Sequence, residues 1–245
     1  MTDLARLNDC IAEAQELFAT LLQSTIGEGA TTRQQYERYL SFQYHLTKDV
    51  QAYFMAAAAH SDFARRRSLR EFLYHFANEE ELHYLVAAKD LAALGLVPLA
   101  APLDVELWHA YFRAVVRERP CVRLGAAAIL ENISAGLARP WVQKALRGDF
   151  LTRANTKFIV LHQHETLPHG TQILEALAGA SLEPRHVDDL VEGARKATVL
   201  YLRMAEWALR PDSLSAIADG PAAGAISASD IQRIAEFDES ELAAD

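Results

Sequence analysis

Three side chains with metal-binding chemistry, His162, Glu165 and His169, occur within the string FIVLHQHETLPHG. An α-helix turns about 100° per residue, so these three fall within roughly 60° of arc, while His164 points nearly the opposite way. One helical face would then present two imidazoles and a carboxylate, behind the apolar Phe158, Ile159 and Val160. The plainer alternative is a helix whose partly exposed histidines hydrogen-bond to neighbours. Imidazole nitrogen combined with carboxylate oxygen suits iron, manganese or zinc better than calcium or magnesium.

Further ligand types lie upstream. In NEEELHYL, Glu80 and His83 stand at i and i+3, the spacing by which carboxylate-bridged dimetal bundles place two ligands on one helix. Glu79 is an alternative at i and i+4, and a solvated acidic face is the bland reading. Glu131, in AAAILENIS, is flanked by apolar residues; a carboxylate held against a core needs a cationic or metallic partner, with Arg123 or Arg139 as the ordinary one. His45, in YLSFQYHLTKDV, shares a face with Asp49 but equally fits a capped or solvated histidine. Cys121, in RPCVRLG, sits where a helix dipole would favour a thiolate, although a lone cysteine is more often a small core residue. No phosphate-binding glycine loop, Gly-x-Ser-x-Gly or Cys-x-x-Cys occurs, which removes kinase, α/β-hydrolase and thiol-redox readings.

The elements that must position these groups read as helices throughout. Leu4, Leu7, Ile11, Ala14, Phe18, Leu21 and Leu22 recur at steps of three and four, and Gly27 and Gly29 close that helix. Thr31 and Thr32 offer caps for a second, running from Tyr36 through Phe54 to about His60. A third is expected from about Arg66 to Leu94, and a fourth opens at Asp104. A fifth runs from Pro120 to the break at Pro140, a sixth starts at Asp149 and meets Pro168, and a last core helix follows Pro184. No segment alternates in the manner of a strand. The expectation is an all-α bundle of about seven helices over residues 1–210, followed by a flexible acidic tail over 211–245 whose closing IQRIAEFDESEL has the composition of one short acidic helix.

The 245 residues suit one helical domain, and 51% hydrophobic with 23% charged residues is ordinary globular composition. A net charge of -9 argues against nucleic acid or an anionic membrane surface as partner and leaves a small-molecule substrate, with a homodimer allowed. Two cysteines and an N-terminus without a signal-peptide pattern point to the cytoplasm, and no apolar run is read as a membrane span.

Taken in order, YLSFQYH, ExxH, AILEN and the His/Glu/His segment resemble the haem-oxygenase-like superfamily, and within it the non-haem diiron oxidases and oxygenases. The likeness covers roughly residues 5 to 210. It implies a seven-helix bundle that holds two ferrous irons and activates dioxygen on an amino-acid- or fatty-acid-like metabolite. By position, Glu80 and His83 match the family's second-helix pair, Glu131 its bridging glutamate, and His162, Glu165 and His169 its last ligand helix. Two departures stand out. Gln43 and His45 occupy the stretch where the family has a glutamate, with His45 as substitute ligand. The last helix reads His-x2-Glu-x3-His with Pro168 inserted, rather than His-x3-Asp-x2-His, so a proline kink would either release His169 or aim it. Tyr44, Trp141 and Phe158 are expected to line the cavity.

Sister families give alternatives. Thiaminase II has a Pro-Cys like Pro120 and Cys121 and an acid where Glu206 stands, and pyrroloquinoline-quinone synthase is a metal-free oxidase on the same bundle. Haem oxygenase's own proximal histidine and glycine-rich distal helix have no counterpart. A non-catalytic binding protein using the tail as contact segment is the remaining reading.

Overall fold

The computed structural model describes residues 2–161, 168–210, 226–238 and 240; His162, His164 and Glu165 lie outside them. The described residues contain helices and no strand. In chain order they are α1 (Ala5–Ile26), α2 (Arg33–Thr47), α3 (Val50–Ala58), α4 (Arg67–Glu80), α5 (His83–Ala93), α6 (Leu103–Val115), α7 (Pro120–Asn132), α8 (Arg139–Ala145), α9 (Lys157–Leu161), α10 (His169–Gly179), α11 (Pro184–Leu209) and α12 (Ala228–Glu236).

The spine of the bundle is α7 against α11. Their backbones approach so closely that a Cβ at Gly125 would overlap the Leu190 carbonyl, and one at Gly193 would overlap the Val122 carbonyl. Only glycine permits that contact, because any side chain would push the axes apart. Around the spine, α1 packs through Leu7, Ile11, Ala14, Phe18 and Leu22, and α3 packs on α4.

Several helices are shorter than their apolar period suggests. The second divides at Lys48 and Asp49, where Asp49 adopts a left-handed φ of 63° that an α-helix cannot include. Thr32 caps α2 in a reciprocal box with Gln35. The third divides at Glu81 and Leu82, between Glu80 and His83. Prolines start helices here instead of ending them: Pro140 lies in the first turn of α8, and Pro168 is the residue before α10. The segment after Asp149 turns without helix until Lys157.

The apolar stretch Pro120–Ala145 is long enough by composition to cross a membrane, yet it divides into α7, a 3-10 turn at Gly136–Ala138 and α8, and 61% of its most apolar window is buried in the bundle. Beyond residue 225, α12 lies on α5. Asp230 pairs with Lys48 at 2.7 Å, and Phe237 is buried among the tyrosines of α2 and α5. The closing segment is a short helix, as IQRIAEFDESEL suggests, and Phe237 at its end packs against the bundle.

Candidate metal centre

Each of three helices carries one polar residue in its apolar stripe. On α4, Leu69, Leu73 and Phe76 are buried in helical succession and Glu80 continues them, 3% exposed. On α7, Leu124 and Ala128 lead to Glu131, and on α10 His169 begins the stripe that Ile173 and Leu177 extend. Burying those stripes forces the three polar groups to meet. One ligand atom from each of Glu80, Glu131 and His169 lies within 4.8 Å of the others.

His169 Nδ1 is 2.8 Å from Glu80 Oε1 and 3.6 Å from Glu131 Oε2, and its Nε2 lies 3.5 Å from Glu79 Oε2 at the rim. His83 Nδ1 contacts Glu80 Oε2 at 3.0 Å, and the His83 and His169 rings stack at 5.9 Å with 14° between planes. The break between α4 and α5 falls between Glu80 and His83, yet preserves the i, i+3 contact that the sequence suggests. Phe76 closes the other face of His169 edge-on at 4.8 Å.

The electrostatics follow from burial and proximity. Burial alone would raise the Glu80 pKa, but the His83 and His169 imidazoles outweigh it and hold the carboxyl well below its ordinary range. Burial alone would lower the His169 pKa, but Glu131 and Glu80 outweigh it and carry it up to about 11. His83 is raised, with burial opposed by Glu80. The protonated His169 imidazole thus compensates the carboxylates beside it. Glu80 Oε1 nevertheless has no aligned hydrogen-bond donor among the described residues, despite its contact with His169. Two oxygens and a nitrogen converging on one point fit a transition-metal ion, with His169, Glu80 and Glu131 as the groups that would hold it.

Of the other sequence-derived ligands, His162 and Glu165 lie outside the described residues. The face argument linking them to His169 does not extend across Pro168, whose ψ of 139° is not helical. The proline instead starts α10 with His169 as its first residue, buried and turned into the group. His45 is a correction: the structure does not bring it to the cluster. Its Nε2 bonds the Leu99 carbonyl at 2.7 Å, because two residues along a helix reverse direction and Gln43, not His45, faces the cavity. Arg123, an ordinary partner considered for Glu131, is instead fully buried among Tyr53, Phe54, Trp108 and Phe112, with ring centroids 4.9 to 5.9 Å from its guanidinium carbon. Arg139 is exposed.

A cavity of about 1170 Å³, open solvent at its mouth included, adjoins the group, with Glu80 and Glu131 in its wall. Phe158 lines it as expected, whereas Tyr44 and Trp141 are not among its lining residues. Sequence reasoning missed Asp90, buried on α5, whose carboxylate accepts the Lys157 and Phe158 amides at 3.2 and 2.9 Å and so sets α9 against the cavity. An aspartate in the apolar stretch HYLVAAKDLAA was the available signal.

No protein-family model matches the chain, and no curated protein does. Among solved structures it is similar to a domain of unknown function with a heme oxygenase-like fold from Shewanella denitrificans OS217, at 23% identity and a TM-score of 0.77. The match covers 91% of this chain and 99% of that one. The fold is therefore haem-oxygenase-like, an all-α bundle, as the order of motifs suggests.

Proposed function

We propose that the protein is a metal-dependent oxidoreductase of the non-haem iron kind, which activates dioxygen on a small metabolite bearing an apolar portion. The observation that carries this reading is the buried convergence of Glu80, Glu131 and His169 in and beside the wall of a largely apolar cavity. Bound iron would supply the electrons that reduce dioxygen. The chain's own part is to hold that ion with two carboxylates and an imidazole, to exclude water with Phe18, Leu22, Leu46 and Phe158, and to fix Glu80 through His83. A second ion would draw on His162 and Glu165.

Cys121 speaks against the thiaminase-like alternative. It is fully buried, does not line the cavity, and burial pushes its thiol upward, which disfavours the nucleophilic thiolate. Glu206 is exposed, 3.4 Å from Arg210.

The deciding experiment is anaerobic titration of metal-free protein with ferrous iron, followed by oxygen-electrode measurement. Binding of at least one equivalent, with iron-dependent oxygen uptake lost in Glu80→Gln, supports the reading. Failure to bind added iron overturns it.

A further inference from the structure

The two nitrogens of His169 face different surroundings. Nδ1 looks inward, 2.8 Å from Glu80 Oε1 and 3.6 Å from Glu131 Oε2, while Nε2 looks to the rim, 3.5 Å from Glu79 Oε2. The ring has little freedom to turn, because His83 stacks on it and Phe76 meets it edge-on. Glu79 reaches the rim because one step along α4 turns about 100° and carries it off the buried stripe that Glu80 continues. Its side chain is 44% exposed, where that of Glu80 is 4%.

A neutral imidazole has one lone pair to give. If Nδ1 gives it to an ion beside the two carboxylates, the ring proton sits on Nε2, and the acceptor on that side decides how firmly this tautomer is held. A carboxylate there fixes the ring's orientation and, through a charge-assisted hydrogen bond, raises the basicity of the coordinating nitrogen. Half-exposed, Glu79 keeps its hydration and needs no buried counter-charge.

We infer that Glu79 is a positioning residue of the metal centre: its carboxylate accepts the His169 Nε2–H, so that Nδ1 is presented to the ion, and it is not itself a ligand. The inference rests on the metal site of the proposed function and not on the reaction assigned to it.

The test is anaerobic titration of the metal-free full chain with cobalt(II), followed by its visible ligand-field bands. Glu79→Ala should weaken cobalt binding by about tenfold or more. Its band positions should be those of wild type, since the ligand set is unchanged. The melting temperature of the metal-free chain should not move, because a half-exposed ion pair adds little to folding. Glu79→Gln, whose amide oxygen still accepts from Nε2, should recover about threefold or more of the lost affinity. Glu81→Ala, which removes another exposed acid close by, should bind as wild type does.

Wild-type affinity in Glu79→Ala overturns the inference. So do shifted bands in that variant, or a loss in Glu79→Gln equal to it, since either makes the carboxylate a ligand or a remote charge. An equal loss in Glu81→Ala overturns it in favour of general attraction between acids and cation, and a metal-free melting temperature lowered in both Glu79 variants overturns it in favour of packing. Wild type that takes up no cobalt removes the metal site and this inference with it; wild type that binds while the Glu79 variants match it removes this inference alone.

Discussion

Asn132 and Gly170 are locked together, one residue along from Glu131 and His169. Asn132 Nδ2 donates to the Gly170 carbonyl at 3.3 Å, and a Cβ on Gly170 would overlap the Asn132 side chain. This contact fixes α10 against α7 where the carboxylate and imidazole meet. Gly170→Ala should therefore lower both melting temperature and iron affinity, the latter by about tenfold or more, since a displaced ligand geometry has such effects. Asn132→Ala in the same chain should restore part of the loss. Strict additivity in a double-mutant cycle would show that the two do not act as one contact.

Ligand roles separate from packing roles by metal affinity. Glu80→Gln, Glu131→Gln and His169→Ala should each reduce iron binding by about 10- to 100-fold or more, and His83→Ala by about tenfold through a loosened Glu80. His45→Ala should leave iron binding unchanged. Equal losses in all five, read by anaerobic titration, would contradict the assignment of His45 to the Leu99 carbonyl.

Stoichiometry tests the residues beyond Leu161. If His162 and Glu165 hold a second ion, wild type should bind two equivalents of iron and the His162→Ala or Glu165→Ala variants one, with His164→Ala unaffected. Loss in all three variants alike would remove the one-face arrangement.

A half-buried histidine relay gives a pH dependence. Tyr53 Oη contacts His109 Nδ1 at 2.7 Å, His109 Nε2 donates to the His45 carbonyl at 2.9 Å, and His45 Nε2 donates to the Leu99 carbonyl. Burial lowers both histidines below the ordinary 6.5. Their contribution is therefore present above about pH 6.5 and lost as pH falls through the depressed values, because the folded state resists protonation there. Denaturant unfolding from pH 7 to 5 should show a shallower acid loss in His45→Gln than in wild type. An unchanged slope would refute it.

Among the described residues Arg123 Nε and Nη1 have no hydrogen-bond partner, and four aromatic rings surround the guanidinium. A flat, weakly hydrated cation tolerates such a cage and an ammonium does not. Arg123→Lys should cost about 3 kcal/mol, while Arg123→Met should stay within about 1 kcal/mol of wild type. Equal losses in calorimetric melting would show that the cage selects shape, not charge.

The closing helix has its own signature. Phe237→Ala should cost about 2–3 kcal/mol and lower the melting temperature by about 4–10 °C, with deletion of residues 226–245 at least as severe. A melting temperature unmoved by the deletion would mean that α12 does not stay on α5.

The bundle was legible because burial follows the helical period, Glu80 because it stands three residues before His83 in NEEELHYL, and Glu131 because apolar residues flank it; His169 was picked out by a shared face with His162 and Glu165, an argument that does not extend across Pro168. Helix limits were less so. Pro140 and Pro168 read as breaks, yet proline's fixed φ and missing N–H suit a helix start equally, and sequence alone does not say which side is helical. His45 was misplaced because proximity to a motif outweighed its angular position, two residues from Gln43. Phe237 escaped notice because it stands one residue past the end of a short helix, outside the helical period that marks a buried stripe.

Glu80, Glu131 and His169 stand on three helices distant in the chain, so an unfolded polypeptide does not gather them. An ion that binds only the closed bundle shifts the folding equilibrium by mass action, by about 2.7 kcal/mol when free metal exceeds its dissociation constant a hundredfold. A metal-loaded centre would thereby act as a thermodynamic clasp. Scarcity of metal would then deplete the folded population, making the protein's lifetime a reporter of the metal supply around it.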